Sequence, residues 1–186
     1  ETTGTAETWN FEEAQVYPDS DNNVHAMWMG SDNMPYYSYS MDEGDTWSDP
    51  LMVAPPIGLN GTGFPVLTAG GPGQVALGYL GDSGGDTWNG YLTVISDAFS
   101  PMPLMTTVQV NAWGDPLDTT ADCGFNRCGG FGDFNDIIID QYGRAWFGLA
   151  HNVGGEIGIF GTMTIGPSLR GNGTLTELPP GGPGTL

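Results

Sequence analysis

Val24-His25-Ala26-Met27-Trp28-Met29, Val75-Ala76-Leu77-Gly78-Tyr79-Leu80 and Ala145-Trp146-Phe147-Gly148-Leu149-Ala150 are three versions of one short apolar stretch. Each is entered from a turn-forming run: Asp21-Asn22-Asn23, Gly71-Pro72-Gly73-Gln74 and Gln141-Tyr142-Gly143-Arg144. The stretches are too short for helices, lack a sustained 3.6-residue period and are bounded by Gly, Pro, Asn or Asp, so each reads as a strand. A shorter strand precedes each turn, at 14–17, 64–69 and 135–140, and a third follows at 36–40, 91–95 and 157–160. Fourth strands fit at 51–53, 106–110 and 174–178.

The middle stretches begin at residues 24, 75 and 145, intervals of 51 and then 70 residues. Four antiparallel strands recurring at about 50 residues are the sequence form of a β-propeller blade. The expected fold is therefore all-β, with about three four-stranded blades of a partial propeller. Residues 1–10 read as an N-terminal strand or arm, 11–58 as the first blade, 59–110 as the second and 132–178 as the third. An acidic insertion at 111–131 accounts for the longer second interval, and the Pro/Gly-rich run 179–186 reads as a linker. Propellers close with about four to eight blades. Three leave open strand edges and an uncovered face, which predicts self-association or completion by a further chain segment.

The 186 residues carry 3 Lys+Arg, all arginine, against 22 Asp+Glu, a formal net charge of −19. Nucleic acid is excluded as a partner, because its phosphates need clustered cations, and no apolar run reaches the ~20 residues of a membrane-spanning helix. Charged residues are only 13% of the chain, about half the usual share, so the imbalance comes from missing cations. Glycine, at 31 residues, points to many tight turns. The chain begins at Glu1 without a signal-peptide pattern, which reads as a processed chain or an excised piece.

Ser40-Met41-Asp42-Glu43-Gly44-Asp45-Thr46-Trp47 fits Ser-x-Asp-x-Gly-x-Thr-Trp at every specified position. Here the sequence resembles the Asp-box (BNR-repeat) β-propellers of the sialidase type. Ser40 and Asp42 supply acceptors for turn N–H groups, Gly44 a positive φ, Thr46 completes the motif and Trp47 covers the hairpin. The resemblance implies that the box joins the third and fourth strands of a blade, away from any catalytic mouth. A partial copy, Ser83-Gly84-Gly85-Asp86-Thr87-Trp88, lacks the first Asp and falls between second and third strands, as a loop with an aromatic anchor.

The resemblance also implies what catalysis would need: three arginines gripping a carboxylate, a Tyr nucleophile helped by Glu, and an Asp acid/base. Guanidinium forks suit that task because they bind carboxylates bidentately and stay charged. Arg127 lies in the Cys loop, Arg144 in a β-turn facing away from the mouth, and Arg170 in a Gly/Pro-rich connection. The expectation is therefore a non-catalytic module.

Cys123 and Cys128 read as a local disulfide, with free thiols the alternative; zinc would need more ligands than His25 and His151 add. A disulfide, together with the glycosylation sequons at Asn60 and Asn172, points to an extracellular or cell-surface location. Asp115, Asp118, Asp122 and Asp133 are candidate Ca²⁺ ligands or simply solvated loop acids. The run 19–23 imitates half an EF-hand loop but lacks its Gly and Glu, and reads as a plain turn. Candidate ligand-binding residues are Arg127, Asp133, Asp136, Trp88 and His151, the last ending a strand toward the mouth. His25 is expected on a polar strand face. Trp28, Tyr36, Tyr37, Trp88, Tyr91 and Trp146 suit either sugar stacking or blade packing.

The functional expectation is a secreted or cell-surface glycan- or protein-binding and assembly module. The alternatives are a sialidase-like exo-glycoside hydrolase completed outside this chain and a structural subunit of an extracellular lattice or filament.

Overall fold

The computed structural model describes residues 14–53, 58–85, 87–117, 135–151 and 157–175. Among them lie eleven strands and no helix. The first sheet comprises β1 (Gln15–Pro18), β2 (Val24–Met29), β3 (Pro35–Ser40) and β4 (Leu51–Met52). The second comprises β5 (Gly61–Ala69), β6 (Val75–Asp82), β7 (Trp88–Ile95) and β8 (Met105–Gln109). The third comprises β9 (Asp136–Ile139), β10 (Ala145–His151) and β11 (Ile157–Thr162). Each sheet is an antiparallel meander in chain order.

The three middle strands begin where the sequence repeat places them because their entry turns share one construction. The residue two places before each strand has a positive φ: Asn22 at 64°, Gly73 at 66° and Gly143 at 84°. Each turn is closed by one backbone pair, Asp19 N–H to Asn23 O (2.9 Å), Gly70 N–H to Gln74 O (2.8 Å) and Asp140 N–H to Arg144 O (2.9 Å). Gly and Asn tolerate this left-handed conformation.

The second sheet is buried on both faces, and the two-residue period of β6 divides them. Val75, Leu77 and Tyr79 join Met27, Met29 and Tyr37 of the first sheet in one core, while Ala76 and Leu80 join Ile137, Phe147 and Leu149 of the third in another. Glycine makes the second contact close. A Cβ at Gly78 would stand 2.9 Å from the Phe147 ring, and one at Gly90 would stand 2.3 Å from Leu149 Cδ2. The third sheet thus nests into the second at two positions without a side chain.

A buried polar chain locks the first sheet onto the second. His25 is fully buried, not on a solvated face, with Nε2 3.1 Å from Asp19 Oδ2 and Nδ1 2.6 Å from the Tyr37 hydroxyl. The Asp19 carboxylate only accepts, so Nε2 carries the proton and Nδ1 accepts from Tyr37. Asp19 also accepts from Gly73 N–H of the second sheet at 3.0 Å. Burial pushes the His25 pKa down against the pull of Asp19. Burial pulls Asp19 upward, but donors from Asn23, Gly73, His25 and Asp21 hold its carboxyl below the usual value.

Among the described residues the third sheet has three strands. Thr174 makes only an isolated bridge to Pro167, and 176–178 of the expected fourth strand lie outside the described residues. Local pairing takes up the backbone groups: Ser168 N–H donates to Gly173 O and Leu175 N–H to Gly166 O, both at 2.8 Å. This hairpin caps the turn end of sheets two and three, where Gly71 N–H donates to Leu169 O and Leu169 N–H to Gly143 O.

Two faces remain open among the described residues. Opposite Met27 and Tyr37, the first sheet presents Val16, Trp28, Tyr36 and Met52, with the Trp28 and Tyr36 rings stacked at 6.2 Å. Opposite Phe147, the third presents Ile138, Trp146 and Phe160, the last 64% exposed.

Candidate functional site

Antiparallel meanders sort their connections to two ends. Tight turns gather at one, where the β1–β2 turn meets the β5–β6 turn through Ser20 N–H to Gly70 O. The β2–β3 and β6–β7 connections and the segment after β8 lie at the other, the loop end, where two cavities open. That loop end is organised by Asn111, which is buried just after β8. Its Oδ1 accepts from Gly90 N–H (2.9 Å), and its Nδ2 donates to Asn89 Oδ1 (2.9 Å) and Asp115 O (2.8 Å). Gln109 Nε2 donates to the carbonyls of Asn111 (3.2 Å) and Ala112 (3.4 Å). Val110 N–H donates to Gly90 O and Leu117 N–H to Trp88 O, each at 2.8 Å. Residues 110–117 are thereby fixed to β7 at both ends, and Gly114, at φ 81°, turns the chain at their tip. The tip carries Trp113, 92% exposed.

Trp113 lines a cavity of about 480 Å³ together with Ser83, Thr87, Asn89, Tyr91 and Gln109. No charged side chain is among its described lining residues. Across the loop is a smaller cavity of about 190 Å³ that holds His151 and Asp115. His151 Nε2 lies 3.3 Å from Asp115 O and 3.6 Å from its Oδ2. These surfaces offer an aromatic platform, amides and hydroxyls, with one His–Asp contact nearby. That inventory suits reversible recognition.

The candidate residues from the sequence divide accordingly. His151 and Asp115 meet in the smaller cavity. Trp88 is partly buried against the second core, and Asp136 lines a shallow trough of about 290 Å³ on the outer face of the third sheet. Asn60 and Asn172 are both exposed; Asn60 adjoins Leu59, a wall of the larger cavity. Arg127, Asp118, Asp122, Asp133, Cys123 and Cys128 lie outside the described residues. Among the described residues no group of three or more His, Cys, Asp or Glu could hold a metal ion. Trp113, Gln109, Asn89 and Asn111 are the residues that motif reading passes over. Their signal is Asn-Ala-Trp-Gly directly after a strand, a bulky aromatic placed in turn-forming sequence.

The described cations sit at the turn end. Arg170 Nε donates to Asp140 O at 2.8 Å and Nη2 to Ile139 O at 3.2 Å. Buried Arg144 has Nη1 4.0 Å from Asp140 Oδ2, and its guanidinium lies 5.5 Å from the Tyr142 ring centre. Burial pulls the Asp140 carboxyl upward, but donors from Trp146, Arg144 and Tyr142 and the Arg144 charge hold it below the usual value. Glu43, the sole glutamate among the described residues, lies in the Asp-box turn.

That turn also belongs to the tight-turn end, between β3 and β4. Asp42 accepts from Thr46 N–H (2.8 Å), Thr46 Oγ1 (2.6 Å) and Ser40 Oγ (2.7 Å). Ser40 Oγ accepts from Gly44 N–H (2.8 Å), Gly44 has φ 98°, and Trp47 Nε1 donates back to Gly44 O (3.1 Å). The Thr46 hydroxyl and N–H, with Ser40, hold the Asp42 pKa at about 2. Its oxygens are consumed by the turn, a structural role. Compared with known proteins, the chain matches no family model and no curated protein sequence.

Proposed function

We propose that this chain is a section of an Asp-box-type β-propeller, secreted or carried at a cell surface, that recognises a glycan or a protein through its loop end without catalysing a reaction. The carrying observation is the segregation of groups. Among the described residues, Trp113 and a cavity whose described lining is uncharged lie at the loop end, while Arg144, Arg170 and Glu43 are engaged in turns at the other. A sialidase-type reaction needs arginines converging beside a Tyr–Glu pair, and this distribution counts against it. The successive stacking of three meanders supports the propeller arrangement.

The test pairs a glycan-array binding experiment, on wild-type and Trp113→Ala chains, with a turnover assay on a fluorogenic sialoside. The reading expects binding that depends on Trp113 and no turnover. Turnover abolished by substituting Arg144 or Arg170 would overturn it.

A second reading is assembly through the open faces. It is favoured by apolar side chains on the outer surfaces of both terminal sheets, with Ile138 57% exposed beside Phe160. Faces of this kind are commonly covered by a further sheet or another chain.

A further inference from the structure

We infer that the cavity lined by Trp113 is a subsite for an uncharged sugar ring, an assignment that rests on recognition at the loop end and names its ligand class. An indole that is 92% exposed is more than a stray surface residue here, because the buried Asn111 spends all three of its side-chain bonds, to Gly90, Asn89 and Asp115, fixing the segment that presents it. The backbone that carries the ring is therefore preorganised, which lowers part of the ordering cost of binding. A pyranose offers an apolar C–H face to an aromatic plane and a rim of hydroxyls to polar walls.

The walls supply that rim. Gln109 commits both N–H groups to backbone carbonyls, so it offers the cavity its Oε1 as an acceptor. Thr87 adds a hydroxyl to the wall, and the Ser83 hydroxyl donates to Thr87 O at 3.0 Å and accepts from Asn89 Nδ2 at 3.5 Å, so its oxygen has one lone pair to offer. At about 480 Å³ the cavity falls in the usual range for small-ligand sites.

Charge selects within the sugars. The described lining holds no cation to meet a carboxylate or sulfate, and a chain of net charge −19 repels anionic glycans over roughly a Debye length. A neutral ring meets no such penalty. One source of such a ring is an external glycan; another is an N-linked glycan on Asn60, which is exposed and follows the cavity residue Leu59.

The experiment titrates the wild-type chain with methyl glycosides, N-acetyllactosamine and 3′-sialyllactose at about 150 mM salt, read by calorimetry and by protection of tryptophan from acrylamide quenching. Neutral sugars should bind, and Trp113→Ala should weaken them about tenfold or more while leaving the circular dichroism spectrum unchanged, since the removed ring packs on little. Trp113→Phe should restore part of the affinity. Asn60→Gln from a glycosylating host distinguishes the sources: tighter binding of added sugar shows that the chain's own glycan occupies the subsite, and unchanged binding assigns it to external sugar. Sialyllactose bound as tightly as its neutral counterpart overturns the charge selection but leaves loop-end recognition standing. Absence of neutral-sugar binding overturns the sugar assignment, and if Trp113→Ala also leaves every array or protein interaction unchanged, the underlying reading falls with it.

Discussion

Replacing Gly78 with alanine should destabilise the chain through two identifiable contacts, one to Val66 within the second sheet and one to Phe147 of the third. The new Cβ would stand 2.9 Å from Phe147 Cδ2 and Cε2 and 2.7 Å from Val66 Cγ2, against the roughly 3.5–4.0 Å at which carbon atoms attract. Phe147 is fully buried and cannot swing into solvent, so the cost should be that of overpacking, about 1–3 kcal/mol. With a urea m-value of about 2 kcal/mol per molar, the midpoint should fall by roughly 0.5–1.5 M. Phe147→Leu alone should also destabilise, because it leaves part of the Phe volume unfilled. Together, however, the smaller leucine side chain should make room for the new methyl, and the double variant should be more stable than the summed costs predict by about 1 kcal/mol or more. Gly158→Ala is the control: its Cβ meets nothing within 4 Å, and its effect should stay within about 0.5 kcal/mol. Strictly additive costs for Gly78→Ala and Phe147→Leu would refute the nesting of the third sheet into the second.

Other consequences follow from the buried and exposed groups. The folded pKa of His25 lies below its ordinary 6.5, so on acidification the unfolded chain takes up the proton first; stability should be full above about pH 6.5 and fall as pH drops below it. His25→Phe, followed by thermal melts across that range, should flatten this part of the profile, and a profile unchanged by the substitution would contradict it. Asp42, held at about 2 against an ordinary 3.8, contributes above 3.8 and loses its contribution between those values; Asp42→Ala should lower the melting temperature at neutral pH and remove that acid limb. If the open faces mediate assembly, sedimentation velocity should show larger species that Trp28→Ser or Phe160→Ser dissociates, whereas a wild-type monomer at high concentration and moderate salt would refute self-association.

Much of the fold is legible because it is written locally. Two-residue alternation and positive-φ residues at 22, 73 and 143 are visible as Asn or Gly two places before an apolar stretch. The Asp box is legible for the same reason, since all its hydrogen bonds close within the span from Ser40 to Trp47. The start of the expected fourth strand of the third unit, Thr174 and Leu175, misleads, because the chain there pairs in a hairpin with Gly166 and Ser168.

His25 misleads in another way. A polar residue on a strand suggests a solvated face, yet a carboxylate six residues earlier makes burial affordable. The same spacing recurs in Asp140 and Trp146, whose Nε1 donates to Asp140 Oδ2 at 3.0 Å, so an Asp six places before a ring nitrogen at the start of a middle strand is a readable signal. Trp113 was not readable as a site. Its meaning depends on Asn111 reaching back to Asn89 and Gly90, contacts some twenty residues apart that no local pattern encodes. His151 shows the intermediate case: its position at a strand end is local, while its approach to Asp115 depends on how the second and third sheets stack.

The most direct test of loop-end recognition is a ¹⁵N-correlation NMR titration with a neutral oligosaccharide, following indole and guanidinium N–H groups. The Trp113 indole resonance and the amides of Asn89 and Gln109 should shift with a common saturation curve while Arg170 Nε–H stays fixed. Shifts centred on Arg144, Arg170 and Asp140, with Trp113 unmoved, would place recognition at the opposite end and contradict the account.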